Sequence, residues 1–245
     1  MAGHSKWANI KHRKERADQK KGKVFSRMAK EVISAVKMGG PDPKSNPRLR
    51  LAILNAKNAN VPNEIIDRNI KKASSQDQAD FTEMTYELYG HGGVGILAEV
   101  MTDNKNRISS DMRIATNKRG GSVAMPGSVA FNFDRRGIIQ VQKKNAKEDE
   151  LFLASSEAGA EDFEDADEMF MVITSPENML TVRDAITALG IPVDQAEFQM
   201  IPKSNITVDE ETMKANLALI EWLEDLDDVD TVYHNMHLPD EEDED

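Results

Sequence analysis

Cationic, aromatic and imidazole side chains are concentrated at the beginning of the chain. The first fourteen residues read MAGHSKWANIKHRK and place a Trp among cations and two histidines. Lysine and arginine bind the phosphates of a nucleic acid, and an indole ring stacks on an exposed base. The residues that we predict to contact nucleic acid are Lys6, Trp7, Lys11, His12, Arg13, Lys14, Lys20, Lys21, Lys23, Arg27 and Lys30.

The distribution of charge supports this prediction. Residues 1–75 contain 18 Lys and Arg against 6 Asp and Glu, although the whole chain of 245 residues has a formal net charge of −12. A basic end on an acidic chain is typical of a nucleic-acid-binding region joined to domains of another kind. A merely solvated helix surface explains this surplus less well, because self-repulsion among so many cations costs stability.

Residues that could support catalysis or bind a metal are few and dispersed. The chain has no Cys, which excludes disulfides and zinc–thiolate sites and fits a reducing cytoplasm. It has no GxSxG sequence, the usual setting of a nucleophilic serine in one large class of hydrolases. His234 and His237 fall at the end of a predicted strand, where their spacing points them to opposite faces. We therefore predict no catalytic residue, no metal, no cofactor and no enzymatic activity.

Two segments leave alternatives open. The glycine-rich segment 90–95 fits a tight hairpin turn, and its backbone could instead bind a phosphate, although it lacks the Gly-Lys-Ser/Thr ending of a P-loop. The acidic stretch 148–168 fits a solvated surface. Its carboxylates could instead bind Mg²⁺ or transfer protons, contact a basic protein, or fold over the basic domain as an internal polyanion.

A second and weaker group of cations flanks a predicted helix in the middle of the chain and could extend the basic surface. Its members are Lys105, Arg107, Arg113, Lys118, Arg119, Arg135 and Arg136.

The elements that position the basic residues are helical. Residues 1–21 have no clear periodicity and are predicted to form a mobile arm. Apolar residues at helical spacing predict a helix from Val24 that Gly39-Gly40-Pro41 ends, with Lys23, Arg27 and Lys30 on its opposite face. Asn46-Pro47 and Val61-Pro62 are predicted to open two further helices, which completes a small basic bundle.

Alternating patterns replace the helical ones near Phe81. The segments FTEMTYELY and ILAEVMT predict two strands, and a helix over about 107–118 and a strand SVAFNF, broken at 134–137, follow. Residues 138–201 follow a β-α-β-β-α-β order, which is typical of a ferredoxin-like module. A helix over 208–226 and a strand DTVYHNM are predicted to complete the first sheet.

These elements predict an α+β protein of three domains. The first is a basic helical domain with its arm over residues 1–77. The second is an α/β domain built from 78–136 and 204–239, into which an acidic ferredoxin-like domain is inserted at 137–203. The acidic tail 240–245 is predicted to be disordered.

The strings MAGHSKWANIKHRK, KGKVFSRMAKEV, GGPDP, NPRL, NVP, TDNKNR and GSVAFNFDRRG, together with the order of modules, resemble the YebC family over essentially the whole chain. That family includes bacterial proteins described as probable transcriptional regulators and a mitochondrial translational activator of cytochrome c oxidase subunit I. One departure is His91, where the family usually has Pro, and it changes a local backbone constraint. The resemblance implies three domains and a cytoplasmic, non-enzymatic role in gene expression.

Two functions remain open at this point. One is a DNA-binding transcriptional regulator, although the loop 39–46 is longer than the turn of a helix-turn-helix. The other is an RNA-binding, ribosome-associated translation factor that assists the synthesis of proline-rich stretches and contacts ribosomal proteins. In both cases we expect a cytoplasmic protein, a monomer, that binds DNA or ribosomal RNA and no membrane.

Overall fold

The structure is a computed structural model that describes residues 10–11, 21–74, 81–166 and 168–239, with Lys21 described by its backbone only. These residues contain seven α-helices of ten or more residues and eight strands in two sheets, which confirms the α+β class. The helices are α1 (Lys21–Gly39), α2 (Pro47–Asn58), α3 (Asn63–Ala73), α4 (Lys105–Arg119), α5 (Glu148–Glu157), α6 (Met179–Ala188) and α7 (Glu210–Asp225). The strands are β1 (Thr82–Tyr89), β2 (Gly95–Thr102), β3 (Ser122–Val123), β4 (Phe133–Gln142), β5 (Ala160–Ala166), β6 (Met169–Thr174), β7 (Gln195–Pro202) and β8 (Val229–His234).

The described residues divide into two compact units. Residues 24–74, 135–166 and 168–200 form the first unit. Residues 10–11, 21–23, 81–134 and 201–239 form the second unit. The division of the chain into three domains stays a prediction.

The helices of the first unit begin and end where the sequence places its signals. The Asn46 side chain caps α2 by accepting a hydrogen bond from the Leu49 amide at 3.0 Å, and Pro47 occupies the first helical position. Gly40 follows the end of α1 with a φ of +84°, in the left-handed region that glycine tolerates. These features confirm the three predicted helices.

A four-stranded sheet completes the first unit. Its elements follow the order β4-α5-β5-β6-α6-β7, and its strands lie in the order β5-β6-β4-β7, which is the split-βαβ arrangement. The central strand β6 is buried along its whole length and pairs antiparallel with β4 and β5. Leu51 of α2 packs into the same core, so the helices and this sheet share apolar contacts.

The sheet of the second unit has the strand order β3-β1-β2-β8. Strands β1 and β2 form a hairpin whose register runs from the pair Thr82–Thr102 to the pair Tyr89–Gly95. Helices α4 and α7 pack on one face of this sheet. The buried residues that join them to it are Leu88, Val94, Ile96, Ala98, Val100, Ile108, Met112, Ala115, Leu219, Ile220, Leu223, Val229, Val232, Met236 and Leu238.

One predicted strand is wrong. The alternation in 128–133 predicts a strand that ends at Asp134, but residues Ala130–Asn132 form a 3₁₀ turn, and β4 runs from Phe133 through Asp134 to Gln142. The reason is a tertiary contact, because the Glu87 carboxylate accepts the backbone N–H groups of this segment and prevents them from joining a ladder.

Among the described residues, none of the helices has the length and apolarity to cross a membrane.

Candidate nucleic-acid interface

Four of the eleven predicted contact residues have described side chains, namely Lys11, Lys23, Arg27 and Lys30, and all four are half-buried. Lys21 is described by its backbone only. The others lie outside the described residues and are Lys6, Trp7, His12, Arg13, Lys14 and Lys20. Their role in binding stays a prediction.

The basic residues of α1 share one face of the helix, and protein groups already contact Lys23 and Arg27. The Lys23 ammonium donates hydrogen bonds to the backbone carbonyls of Glu224 and Leu226, the latter at 2.5 Å, where α7 ends. The carbonyls at the end of a helix carry partial negative charge and stabilise a cation. Lys23 therefore has protein acceptors in this structure.

Arg27 lies between two carboxylates. Its Nε is 3.3 Å from Oε1 of Glu31, one turn further along α1, and its Nη2 is 3.4 Å from Oε2 of Glu197 in β7. The Glu197 carboxylate also accepts the side-chain amides of Gln195 and Gln199, at 2.9 and 2.5 Å. A carboxylate of the chain itself therefore contacts the basic face of α1. It belongs to β7, and not to the acidic stretch 148–168 that could have folded over the basic domain.

Two further arginines of the helical segment donate hydrogen bonds to other residues of the same segment. Arg50 donates to the carbonyls of Pro43 and Lys44 at 3.1 and 3.0 Å, and Arg48 contacts Ser34 Oγ at 3.3 Å. These arginines stabilise the loop before α2 and the α1–α2 contact.

Exposed cations remain on the later helices of the first unit. Lys57 lies in the last turn of α2, and Arg68, Lys71 and Lys72 lie in the second half of α3. The spacing of Arg68, Lys71 and Lys72 places them on neighbouring positions of one helix face. These three residues are not among the predicted contact residues, although their spacing at i, i+3 and i+4 is the signal that identifies them.

The second group of cations divides into exposed and bound members. Lys105, Arg113 and Lys118 are exposed on α4. Arg107 instead binds the buried Asp228 carboxylate through two hydrogen bonds of 2.9 Å and contacts Asp103 at 2.7 Å. These hydrogen bonds, first to Asp103 and then to Asp228, raise the pKa of Arg107 above its usual value. Arg107 is therefore part of the fold of the second unit.

The remaining arginines of this group contact rings or acids. The Arg119 guanidinium lies 5.2 Å from the centre of the Trp222 ring, and that of Arg135 lies 4.6 Å from the centre of the Phe198 ring. Arg136 forms an ion pair with Glu161.

The glycine-rich segment forms a hairpin turn, as predicted. The Gly90 amide donates to the Val94 carbonyl at 2.8 Å, and the His91 amide donates to Asn216 Oδ1 at 2.8 Å. Asn216 therefore already binds one of the backbone amides that a phosphate at this turn could use.

The acidic stretch is mostly exposed. Glu148, Asp149 and Glu150 open α5 and face solvent, where they also suit the positive end of the helix. In the part of the chain that the structure describes, no three His, Cys, Asp or Glu residues are grouped in a way that could hold a metal ion.

Comparisons with known proteins agree over most of the chain. Residues 5–76 match the model of the TACO1/YebC N-terminal domain, and residues 81–236 match that of the TACO1/YebC second and third domain. A Protochlamydia amoebophila protein named "Probable transcriptional regulatory protein" is 68% identical over 98% of both chains. A protein of the same name from Chlamydia trachomatis is 58% identical over 96% of this chain and 100% of its own.

A solved structure supports the fold. The crystal structure of a conserved hypothetical protein from Aquifex aeolicus superposes with a TM-score of 0.82 at 40% identity, over 90% of this chain and 91% of that one. The matched models, the relatives and this structure identify the chain as a member of the TACO1/YebC family.

Proposed function

We propose that this protein is a nucleic-acid-binding regulator of gene expression, and specifically a DNA-binding regulator of transcription. The observation that carries the proposal is the surplus of positive charge in the helical segment. Residues 21–74 contain 12 Lys and Arg against 4 Asp and Glu, and Lys57, Arg68 and Lys71 are exposed there. The names of the relatives favour transcription as the process.

The proposed surface lies on α3 and the end of α2, and the predicted N-terminal contact residues would bind the same nucleic acid. Phosphate contacts from the helices would fix the position of the protein on the nucleic acid, and Lys6, Trp7 and Lys11 would add contacts to phosphates and bases. Each phosphate contact releases counterions, so the affinity should fall steeply with salt. The acidic remainder of the chain would limit nonspecific binding, because its carboxylates repel the phosphates of any nucleic acid that approaches them.

In this proposal the protein works by binding alone, in the cytoplasm and as a monomer, without a cofactor or a metal. The exposed carboxylates of α5 and β5 are then a solvated surface that is available to a basic protein.

The proposal is tested by fluorescence anisotropy with a labelled DNA duplex, a single-stranded DNA and an RNA of the same sequence, at several salt concentrations. The test variant is Arg68→Glu with Lys71→Glu. The matched control is Lys144→Glu with Lys147→Glu, which makes the same change of net charge at exposed positions of the inserted segment.

We expect the test variant to weaken DNA binding at least tenfold and to flatten the dependence of log K on log salt. The reason is that each lost phosphate contact reduces that slope by about 0.9 on duplex DNA. The control should change both quantities much less. Equal effects of the two variants would contradict the proposed surface, and an absence of binding to all three nucleic acids would overturn the proposal. Binding to RNA alone, with cosedimentation of the protein and ribosomes at moderate salt, would replace it by the translation-factor alternative.

A further inference from the structure

The loop between β3 and β4, residues 124–132, is held in one conformation by a single buried carboxylate. Oε1 of Glu87 accepts the Gly127 amide at 2.5 Å, and Oε2 accepts the amides of Val129 and Ala130 at 2.6 and 2.8 Å. Three hydrogen bonds to a charged acceptor fix the backbone of 127–130 against β1, because each is stronger than a bond between neutral groups.

Further hydrogen bonds close both ends of this loop. The Tyr89 hydroxyl donates to the Ser128 carbonyl at 2.7 Å, and the Ser128 hydroxyl donates to the Met125 carbonyl at 2.6 Å. The Asn132 amide donates to the Val129 carbonyl at 3.0 Å. The loop conformation is therefore set by the protein itself before any partner arrives, which lowers the entropic cost of binding.

This fixed loop presents two large apolar side chains to solvent. Met125 is 79% exposed and Phe131 is 63% exposed. They lie two residues before and one residue after the section 127–130 that Glu87 holds. These two side chains leave apolar surface in contact with water, whereas Val129 of the same loop is completely buried.

Cations precede and follow the loop in the sequence, and the acids next to it are Glu87, which its own amides bind, and Asp134. From Met112 to Phe133 the chain contains Arg113, Lys118 and Arg119 and no carboxylate. On the other side, the Lys203 ammonium lies 2.8 Å from the Phe131 carbonyl and 3.5 Å from Asp134. Exposed aromatic and thioether groups beside cations suit a polyanion that also offers flat apolar faces. A purely apolar protein groove would not use these cations.

We propose that the loop 124–132 is a second nucleic-acid contact, at which Phe131 stacks on an unpaired base and Met125 packs beside it. Lys203, whose ammonium lies 2.8 Å from the Phe131 carbonyl, faces the adjoining phosphate. The ligand is a single-stranded segment of DNA or RNA, which share this chemistry. The inference rests on the proposed function, since it assumes that the protein binds nucleic acid, but it places a contact outside the helical segment.

The test variant is the double substitution Met125→Ser and Phe131→Ser. The control is the double substitution Phe152→Ser and Leu153→Ser. The control removes two apolar side chains that are 51% and 59% exposed on α5. All three proteins are titrated by anisotropy into a single-stranded DNA, a single-stranded RNA and a duplex of one sequence, at three salt concentrations. Thermal unfolding establishes that both variants are folded.

We expect the loop variant to bind a single strand roughly ten- to a hundredfold more weakly than the unaltered protein, because base–aromatic stacking contributes on that order. The salt dependence should keep its slope, since no phosphate contact is lost. The duplex should be affected less, and the control should bind like the unaltered protein. The strand that loses more affinity, DNA or RNA, identifies the source of the base.

The two proposals fail in different ways. If the unaltered protein binds no nucleic acid, the proposed function fails. If it binds and the loop variant binds equally well, or if the control loses as much affinity, the loop is not a base contact and only this inference is overturned.

Discussion

The side-chain amide of Asn46 donates hydrogen bonds to the carbonyls of Ala35 and Gly40, both at 2.8 Å, while its oxygen caps α2 through the Leu49 amide. One buried residue therefore satisfies backbone groups at the end of α1 and at the beginning of α2. The Leu49 amide, in the first turn of α2, would otherwise lack a partner. The basic helices owe their relative position in part to this single amide.

Substitutions at Asn46 should separate capping from the connection of the two helices. Asn46→Asp keeps the cap, since Asp caps helices as well as Asn does, but it turns an acceptor toward two carbonyls. We expect it to lower the free energy of unfolding by about 1–3 kcal/mol, as much as Asn46→Ala or more. Urea unfolding followed by circular dichroism measures this difference. If Asn46→Asp were as stable as the unaltered protein, the donated hydrogen bonds would be unimportant.

The Glu87 carboxylate should make stability depend on pH. Burial alone raises the pKa of Glu87, but the hydrogen bonds from Gly127, Ala130 and Val129 together lower it below its ordinary value of 4.5. A lowered pKa in the folded state stabilises the protein above pH 4.5, and this contribution is lost as the pH falls through the folded value. Glu87→Gln should cost about 1–3 kcal/mol at pH 7, because an NH₂ group then faces backbone donors.

Thermal unfolding of Glu87→Gln between pH 7 and pH 3 measures this contribution. The difference from the unaltered protein should shrink below pH 4.5. Glu83→Gln, an exposed position on the same face of β1, is the control and should differ little at any pH. A constant difference for Glu87→Gln across this range would mean that the pKa of Glu87 is the same in the folded and the unfolded protein.

The local elements were predictable because their signals are local. Asn46-Pro47 begins α2, Gly40 follows α1, and Asn104 caps α4 through the amides of Asn106 and Arg107. Each signal acts within four residues of its position, so the sequence alone contains all of it.

The errors came from contacts between distant parts of the chain. Strand β4 continues through the polar segment 134–137 because Arg135 lies over the Phe198 ring and Gly137 packs under Met179, where a Cβ would come within 2.6 Å of it. The basic face of α1 was predicted correctly as a face. Its acceptors, such as Glu197, lie about 170 positions away and could not be paired with it from the sequence.

Truncation of two arginines of α4 should affect different properties of the protein, its stability for Arg107 and its nucleic-acid binding for Arg113. Arg107→Ala leaves the buried Asp228 carboxylate with Thr102 but without its cation, so it should lower the melting temperature measurably. The exposed Arg113→Ala should leave the melting temperature within about one degree. In nucleic-acid binding at varied salt, only Arg113→Ala should reduce the slope. A loss of slope in a folded Arg107→Ala protein would contradict the structural role of Arg107.

The N-terminal contact residues can be tested by reversing the charge of two of them. Lys6→Glu with Lys11→Glu should weaken nucleic-acid binding and flatten its salt dependence, because two cations that face phosphates become anions. The melting temperature should stay within error. Anisotropy at several salt concentrations measures the effect, and an unchanged affinity would remove these residues from the proposed interface.

The ion pair between Arg27 and Glu197 predicts that an internal acid competes with the nucleic acid. Exposed ion pairs contribute about 0.2–1 kcal/mol. The side chains of Arg27 and Glu197 are 22% and 12% exposed, but their Nη2–Oε2 distance of 3.4 Å is long. We therefore expect this pair to contribute an energy in the same range and a phosphate to replace the carboxylate. Glu197→Gln keeps the shape of the side chain and removes its charge, and it should raise the affinity by up to about fivefold, the same energy expressed as a ratio. Glu177→Gln, an exposed change of equal charge, should raise it less.

A double-mutant cycle with Arg27→Ala decides whether the gain passes through Arg27. If it does, Glu197→Gln should gain nothing in the Arg27→Ala background, since no guanidinium remains to be released. A gain that persists in that background would come from the net charge alone, and the α1 face would then have no share in binding. A gain that disappears would place Arg27 at the interface and would make β7 a competitor for it.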